Sequence, residues 1–389
     1  MKTGVRGRWI AIGALSVAVA LLGVAAGVTT SGPSGTDDGT FLRLAAPAAS
    51  TAPPEPTVRV AAVGDVILGS TPKLPPDGGR TFFDDVRPVL TGDVVTGNLE
   101  SPLTDRTYSA KCARPSSSSS SKTTAKPSEP PNRCFAFRVP PGYARWLADA
   151  GFTVLNVANN HARDYGTGGL HDTTAALRRH GVAHTGFAGQ ITRVSANGVR
   201  VAVLGFSPYG WTNSVLDVRA AAALVRRAAV GADVVVVNMH IGAEGSDRTH
   251  VRPGPETFLD EQRGDPIRFA HAVVDAGADL VVGHGPHVLR GMEFYRGRLI
   301  AYSTGNFAGY RTLSTAGPLG VGGVVRVELR ADGSWVGGTL VSTRLVRGGL
   351  PARDPERRAL TLVRRVSAAD FGQTAVRLGP GGTLSPPAG

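Results

Sequence analysis

The chain has 389 residues, 42% of them hydrophobic, enough to bury one large core or two modest ones. Its formal net charge is +12, which favours anionic partners such as cell-wall polymers, acidic lipid surfaces or a polyanionic substrate. Aromatic residues are scarce at 6% and no aromatic-interleaved basic motif is present, which argues against nucleic acid as a partner.

Lys2, Arg6 and Arg8 precede a charge-free apolar stretch from Trp9 to Ser31. A bilayer crossing takes about 20 such residues. Small residues at 24–27 would suit a signal peptidase, but the stretch exceeds the usual apolar region of about 7–15 residues in a cleaved signal. Residues 1–31 therefore read as an uncleaved membrane anchor in preference to a signal peptide. Either reading places the remainder on the extracellular side of the cell membrane. Residues 32–57 are rich in Gly, Ser, Thr, Ala and Pro and read as a flexible linker, with ordered structure expected from Val58. Only two cysteines occur, Cys112 and Cys134, flanking a Ser/Pro/Thr-rich segment. An oxidising compartment would pair them and close the 112–134 insertion, a gain of roughly 3 kcal/mol.

Apolar runs of strand length end repeatedly in donors that suit a metal. Residues 58–64 lead to Asp65, 93–97 to Asn98-Leu99-Glu100, and 152–157 to Asn159-Asn160-His161. Residues 233–238 lead to Met239-His240, and 279–283 to His284-Gly285-Pro286-His287. Buried strands of α/β proteins read as short continuous apolar runs, and ligands collect beyond their carboxyl ends. Helical patterns separate these runs. Residues 140–150 begin with Pro and stop at Gly151, 169–180 stop at Gly181, and 265–276 stop at Gly277. The alternation predicts α/β layers. Further strands are expected at 200–205, 299–303, 323–329 and 338–346, with a hairpin across Ala331-Asp332-Gly333. The core domain is expected to span 58–374, and residues 375–389 to form a loose tail.

Imidazole and carboxylate donors together suit divalent transition metals, and two-metal hydrolytic sites activate a bound water. Asp65, Glu100, Asn160, His240, His284 and His287 are the expected ligands. His284 and His287, three apart in a Gly/Pro loop, have little purely structural purpose. Asp65 taken alone also reads as a turn or helix cap.

The ordered segments 63–69, 97–104, 158–161, 240–244, 283–288 and 302–307 resemble the CapA family, associated with capsule and poly-γ-glutamate synthesis. The resemblance covers roughly 58–307 and extends more weakly to about Gly372. It implies a layered fold similar to calcineurin-like metallophosphoesterases, a sandwich of two β-sheets flanked by helices. It also implies one or two divalent ions, Mn or Zn. By that resemblance Asp65 takes the first ligand position, Glu100 the bridging carboxylate, Asn160 the amide ligand and His161 the general acid. His240, His284 and His287 take the imidazole positions. Ile67 stands where metallophosphoesterases carry a further histidine, which leaves either one tight and one weak ion, or a single ion. Within the CapA pattern itself, Ile241 replaces a usual aromatic and Gly285 a frequent histidine. Glu244 reads as an added carboxylate or general base, or else as a surface salt bridge. Asn159 and Asn306 are placed with substrate, Asn306 alternatively with a turn. The charged stretch 245–264 reads as a lid or binding loop, or as a solvated loop.

Two functions fit. The first is an exported metal-dependent hydrolase of an anionic polymer or phosphoester. The second is a non-catalytic polymer-binding or assembly subunit of a capsule synthesis or export machine, for which the missing donor at position 67 speaks.

Overall fold

The computed structural model describes residues 55–109, 111–112 and 134–388. The expected anchor, residues 32–54 of the linker and the interior of the Ser-rich insertion lie outside the described residues. Among the described residues no helix is long and apolar enough to cross a membrane.

The chain begins with β1 (Thr57–Ile67), β2 (Val94–Leu99), α1 (Ala144–Asp149), β3 (Val154–Asn156), α2 (Gly166–Arg179) and β4 (Ala183–Thr185). A second set follows: β5 (Thr192–Ala196), β6 (Val199–Ser207), β7 (Asn213–Ser214), α3 (Val218–Ala229) and β8 (Val234–His240). It continues with β9 (Glu256–Phe258), β10 (Glu261–Gly264), α4 (Pro266–Asp275), β11 (Leu280–His284), β12 (Met292–Tyr295) and β13 (Arg298–Ala301). The last set is β14 (Asn306–Gly309), β15 (Val321–Arg330), β16 (Trp335–Val346), β17 (Leu350–Arg353), α5 (Arg358–Phe371), β18 (Arg377–Leu378) and β19 (Thr383–Ser385).

These strands form two large sheets. One is ten-stranded, ordered β18-β19-β16-β15-β1-β2-β3-β4, with β14 beside β1 and β17 beside β16. The other is seven-stranded, ordered β12-β13-β11-β8-β6-β5, with β7 beside β6. The strands that carry or lead to candidate ligands are parallel within each sheet: β1-β2-β3 in one and β8-β11 in the other. Their carboxyl ends therefore gather at one edge of each sheet.

Both sheets are covered on both faces, which is why their central strands are apolar almost throughout. Alternate residues point oppositely. Val58, Val60 and Ala62 of β1 share one buried cluster with Val201 and Val203 of β6, Val234 and Val236 of β8, and Leu280 and Val282 of β11. That cluster is the layer between the sheets. Ala61 and Val63 face the other way, onto Leu147 of α1 and Leu170 and Leu177 of α2. Leu204, Val235, Val237 and Val281 pack on Val225 of α3 and Phe269 and Val273 of α4. The expected layered α/β sandwich of two sheets flanked by helices is the fold. Local signals set the helix starts: Asp217 and Asp265 cap α3 and α4 by accepting from Ala220 N and Arg268 N, each at 3.0 Å.

The expected hairpin is present as β15–β16. Helices α3 and α5 are additional to those expected. The described part of the expected loose tail, residues 375–388, is anchored. Leu384 of β19 is 1% exposed within the inter-sheet cluster, and β19 pairs with β16. Burial of that one apolar side chain and the added strand pairing outweigh the Gly/Pro composition around it. The stretch 245–264 is anchored: it contains the β9–β10 hairpin, buries Val251, and is tied down by Arg290, whose guanidinium donates to Glu256 at 2.8 Å. His250 also meets Asp370 of α5 at 2.6 Å. Cys112 and Cys134 are joined in a disulfide.

Candidate metal centre

Strand register assembles the site. On β1, Asp65 lies opposite Asn98 of β2 on one side and Asn306 of β14 on the other, and the pairing shifts register at this point. Such irregularities re-aim side chains beside functional sites. In the second sheet His240 of β8 lies opposite His284 of β11. The two sheet edges then face each other across the layer.

Among the described residues, one group of carboxylate and imidazole donors has ligand atoms all within 4.8 Å of one another: Asp65, Glu100 and His240, every one buried. Asn98 organises it by donating to Asp65 Oδ1 (2.8 Å) and Glu100 Oε1 (2.9 Å). His240 Nδ1 stands 3.4 Å from Glu100 Oε1. His284 directs Nε2 at Asn238 Oδ1 (3.1 Å), so its N–H lies on that side and Nδ1 carries the lone pair. An outer carbonyl fixing the tautomer in this way is the usual support of a ligating histidine. His287 follows a left-handed backbone (φ 60°) and places Nδ1 3.1 Å from Asp65 Oδ2 and 2.9 Å from Asn306 Oδ1. Its Nε2 faces Glu244 Oε2 at 3.7 Å and Glu100 Oε2 at 3.9 Å. Gly285, between the two histidines, has φ +104°, and a Cβ there would come within 3.1 Å of the His240 ring.

The electrostatics are those of a crowded anionic site. Burial alone would raise Asp65, but the hydrogen bond and charge of His287 bring its carboxyl down to about 2. Burial, then the charge of Asp65, pushes Glu100 well above the ordinary carboxyl value. His240 is pushed well below its ordinary value by burial and then by Arg263, and His284 is lowered to about 4 by burial. Burial opposes the charge on His287, yet Glu100 and Asp65 outweigh it and hold the imidazolium well above the ordinary value.

Several buried donors have no hydrogen-bond partner: Glu100 Oε2, Asn160 Oδ1 and His284 Nδ1. Buried polar atoms are normally paired, and an orphan calls for an explanation such as an ion. Glu100 belongs to the Asp65–Glu100–His240 cluster, Asn160 lines the cavity next to it, and His284 lies opposite His240 on the neighbouring strand. The residues present fit a divalent cation.

A cavity of about 580 Å³ adjoins the cluster, lined by His161, Glu244, Arg263 and His287 with the aromatic walls Phe137, Tyr209, Trp211 and Phe258. A second depression of similar volume, lined by Asp85, Arg344 and Arg353, contains no imidazole or thiol. His161 is 6% exposed, and its Nδ1 lies 2.8 Å from Asp164 Oδ2. Asp164 also accepts from Phe137 N (2.8 Å) and pairs with Lys111 (3.0 Å), so both arms of the disulfide-closed insertion clamp the residue that holds His161. Burial lowers the His161 pKa against the opposing pull of Asp164.

Two expected roles change. Asn159 is not free to meet substrate: it donates to Asn98 Oδ1 (3.0 Å) and Leu99 O (2.9 Å) and accepts from His161 N and Ala162 N. Every polar atom of its amide builds the loop. Asn306 likewise spends its amide on Leu319 O (2.9 Å) and its carbonyl on His287, so it positions that ring. Glu244 is ion-paired, but in the cavity wall and not on the surface: Arg263 Nη2 meets its Oε1 at 2.7 Å. Ile67 lines the same cavity, fully buried, and offers no donor. Four supporting residues are additional to the expected set: Asn98, Asp164, Asn238 and the site-facing role of Arg263. Asn98 and Asn238 each precede a ligand by two residues, the same-face spacing of a strand, so that signal was legible. Asp164 and Arg263 carry no such signal.

Among solved structures, the chain is similar to a 5'-nucleotidase precursor from Thermus thermophilus, with TM-score 0.37 and 14% identity over 82% of this chain and 60% of that one. Haemophilus influenzae NAD nucleotidase gives TM-score 0.36 and 9% identity over 81% and 57%. By sequence it is 32% identical over 266 residues to the PGA biosynthesis protein CapA of Bacillus subtilis (strain 168), covering 63% of this chain and 61% of that protein. It is 33% identical over 271 residues to the capsule biosynthesis protein CapA of Bacillus anthracis, covering 63% and 58%. The chain thus spans about three fifths of the length of these relatives. Residues 59–310, which include every candidate ligand, match the family described as bacterial capsule synthesis protein PGA_cap, and the chain belongs to that family.

Proposed function

We propose that this chain is a membrane-anchored, extracellular CapA-type protein of capsule or poly-γ-glutamate synthesis whose site is a metal-dependent, phosphoesterase-like hydrolase. The observation that carries the reading is the set of orphaned lone pairs on Glu100, Asn160 and His284 around the Asp65–Glu100–His240 cluster. Asp65, Glu100, Asn160, His240, His284 and His287 would hold one or two ions, and the mixed oxygen and imidazole set suits Mn or Zn. A bound ion supplies Lewis-acid polarisation and water activation. To ligate an ion, His287 would have to be in its neutral form. Arg263 and Lys111 present positive charge to an anionic polymer or phosphoester. His161 is the proton-transfer group at the leaving oxygen. Burial lowers its proton affinity in the free protein, and an anionic substrate in the same cavity would raise it. Glu244, paired with Arg263, is the carboxylate placed to accept a proton from the nucleophile.

A second reading, a non-catalytic polymer-binding or assembly subunit working with other capsule synthesis components, is favoured by Ile67, which denies the cavity one donor. One experiment separates the two: metal content of the purified ectodomain together with phosphodiester hydrolysis by wild type and His161→Ala. Bound Mn or Zn, with turnover lost in the variant, supports the hydrolase. A metal-free, inert protein that still binds polyglutamate supports the assembly subunit.

A further inference from the structure

The cavity beside the cluster is lined by the charged side chains of Lys111, Arg163, Glu244, Glu261 and Arg263. All but one are matched. Lys111 meets Asp164 at 3.0 Å, and Arg263 holds Glu244 at 2.7 Å and Glu261 at 3.2 Å. Arg163 is the exception. Among the described residues its guanidinium makes no hydrogen bond and no ion pair, and its Nε is buried without a partner. Buried donors are normally paired, and an orphan calls for an explanation.

Arg163 is nonetheless held in place. It lies on the loop between β3 and α2, two residues after His161, where Asp164 N donates to His161 O (3.0 Å) and Gly166 N to Arg163 O (2.8 Å). Its guanidinium carbon stands 4.7 Å from the centroid of the Trp211 ring. Trp211 belongs to the other sheet, in the loop between β6 and β7, where its carbonyl accepts from Ala188 N (3.2 Å) and its ring meets Phe187 edge-on. An aromatic face supports a guanidinium from one side and leaves its N–H edge open. A stacked arginine has already given up much of its freedom, so an oxyanion that takes its fork loses less entropy than one that must order a free side chain. Packing on Trp211 explains the stack. It does not explain an unused fork on the wall of the cavity that holds His161.

We propose that Arg163, seated on Trp211, is the specificity residue of this cavity: it takes a second carboxylate or phosphate of a polyanionic substrate whose first anionic group lies at the metal centre. The inference rests on the reading of the cavity as the substrate site and goes further, to the class of substrate and the residue that selects it. Calorimetry on the Mn²⁺-treated full chain tests it, with three probes: a γ-linked glutamate oligomer, inorganic tripolyphosphate, and dimethyl phosphate, which carries a single charge. Arg163→Gln is expected to lose about tenfold in affinity for at least one of the two polyanions and less than about twofold for dimethyl phosphate. Whichever polyanion shows the loss identifies the group that Arg163 takes. Arg163→Lys keeps the charge without the planar fork and is expected to bind about threefold more weakly than wild type. Polyanion binding unchanged in a folded Arg163→Gln overturns the inference and leaves the cavity reading intact. An equal loss for all three probes also overturns it, because Arg163 would then hold the reacting group itself. A wild-type chain that takes up no Mn²⁺ yet binds a polyanion through Arg163 supports the inference while removing the metal from the reading. Failure of wild type to bind either polyanion overturns the inference and the cavity reading together.

Discussion

Asp164 is the residue on which the proton-transfer side of the cavity depends. Its carboxylate is fully buried and serves His161 Nδ1 (2.8 Å), Phe137 N (2.8 Å) and the Lys111 ammonium (3.0 Å) together. Asp164→Ala leaves Lys111 without its counter-charge, Phe137 N–H without an acceptor, and the His161 ring without its anchor. Breaking a buried ion pair from one side costs about 3–5 kcal/mol. Lys111 keeps a third of its side chain in solvent, which moves the cost to the low end, about 3 kcal/mol. In a domain of this size that lowers Tm by roughly 4 °C. Asp164→Asn keeps the shape and one acceptor oxygen but also leaves Lys111 without its counter-charge, and is expected to cost about 2–3 kcal/mol. If Asp164 acts by orienting His161, both variants lose kcat on phosphodiesters while Mn²⁺ stoichiometry stays that of wild type. The loss is larger for esters with poor leaving groups, which need the proton more. Differential scanning calorimetry, metal analysis and a leaving-group series read these outcomes. An Asp164→Ala protein with wild-type Tm, or with a uniform loss of kcat across leaving groups, would refute the reasoning.

Three other perturbations give separate checks. Gly285→Ala places a Cβ 3.1 Å from the His240 ring at a φ of +104°, and is expected to cost about 1–3 kcal/mol and weaken Mn²⁺ uptake, read by unfolding and metal analysis. Leu384→Ala removes a side chain that is 1% exposed between the sheets and is expected to cost about 2–5 kcal/mol in urea unfolding; a loose C-terminus would give no change. His184, half-buried, has its pKa lowered to about 4, chiefly by burial and then by Arg178. Between pH 6.5 and about 4 the unfolded chain therefore holds a proton that the folded chain refuses, so stability falls as pH falls through that window. Partial exposure reduces the effect to about 1–2 kcal/mol. His184→Gln should flatten that part of the pH–stability curve, and an unchanged slope would count against the assignment.

Much of the centre was legible because it is local. Asp65, Glu100, His240 and His284 each end an apolar run, and an apolar run that long is a buried strand wherever it lies in the fold. Asn98 and Asn238 follow from the two-residue period of those same strands. The α/β alternation with its Pro and Gly punctuation was legible for the same reason. Residues 375–388 were misread because Gly and Pro dominate their composition, whereas one leucine finding space between the sheets decides their structure. The roles of Asn159 and Asn306 were not legible, because an amide near a site has the same appearance in sequence whether it faces substrate or holds a loop.

The sequence by itself determined which strands carry donors and that those donors lie at carboxyl ends, since both are properties of a few consecutive residues. Only the tertiary structure decided which donors meet. The pairing of Asp65 with both Asn98 and Asn306, and of His240 with His284, comes from strand register between distant segments. Asp164 joins Lys111 and Phe137 across the disulfide-closed insertion, and Arg263 enters from an excursion held by Arg290 and Asp370. Contacts of this kind are set by packing between layers, which no local pattern of residue types encodes.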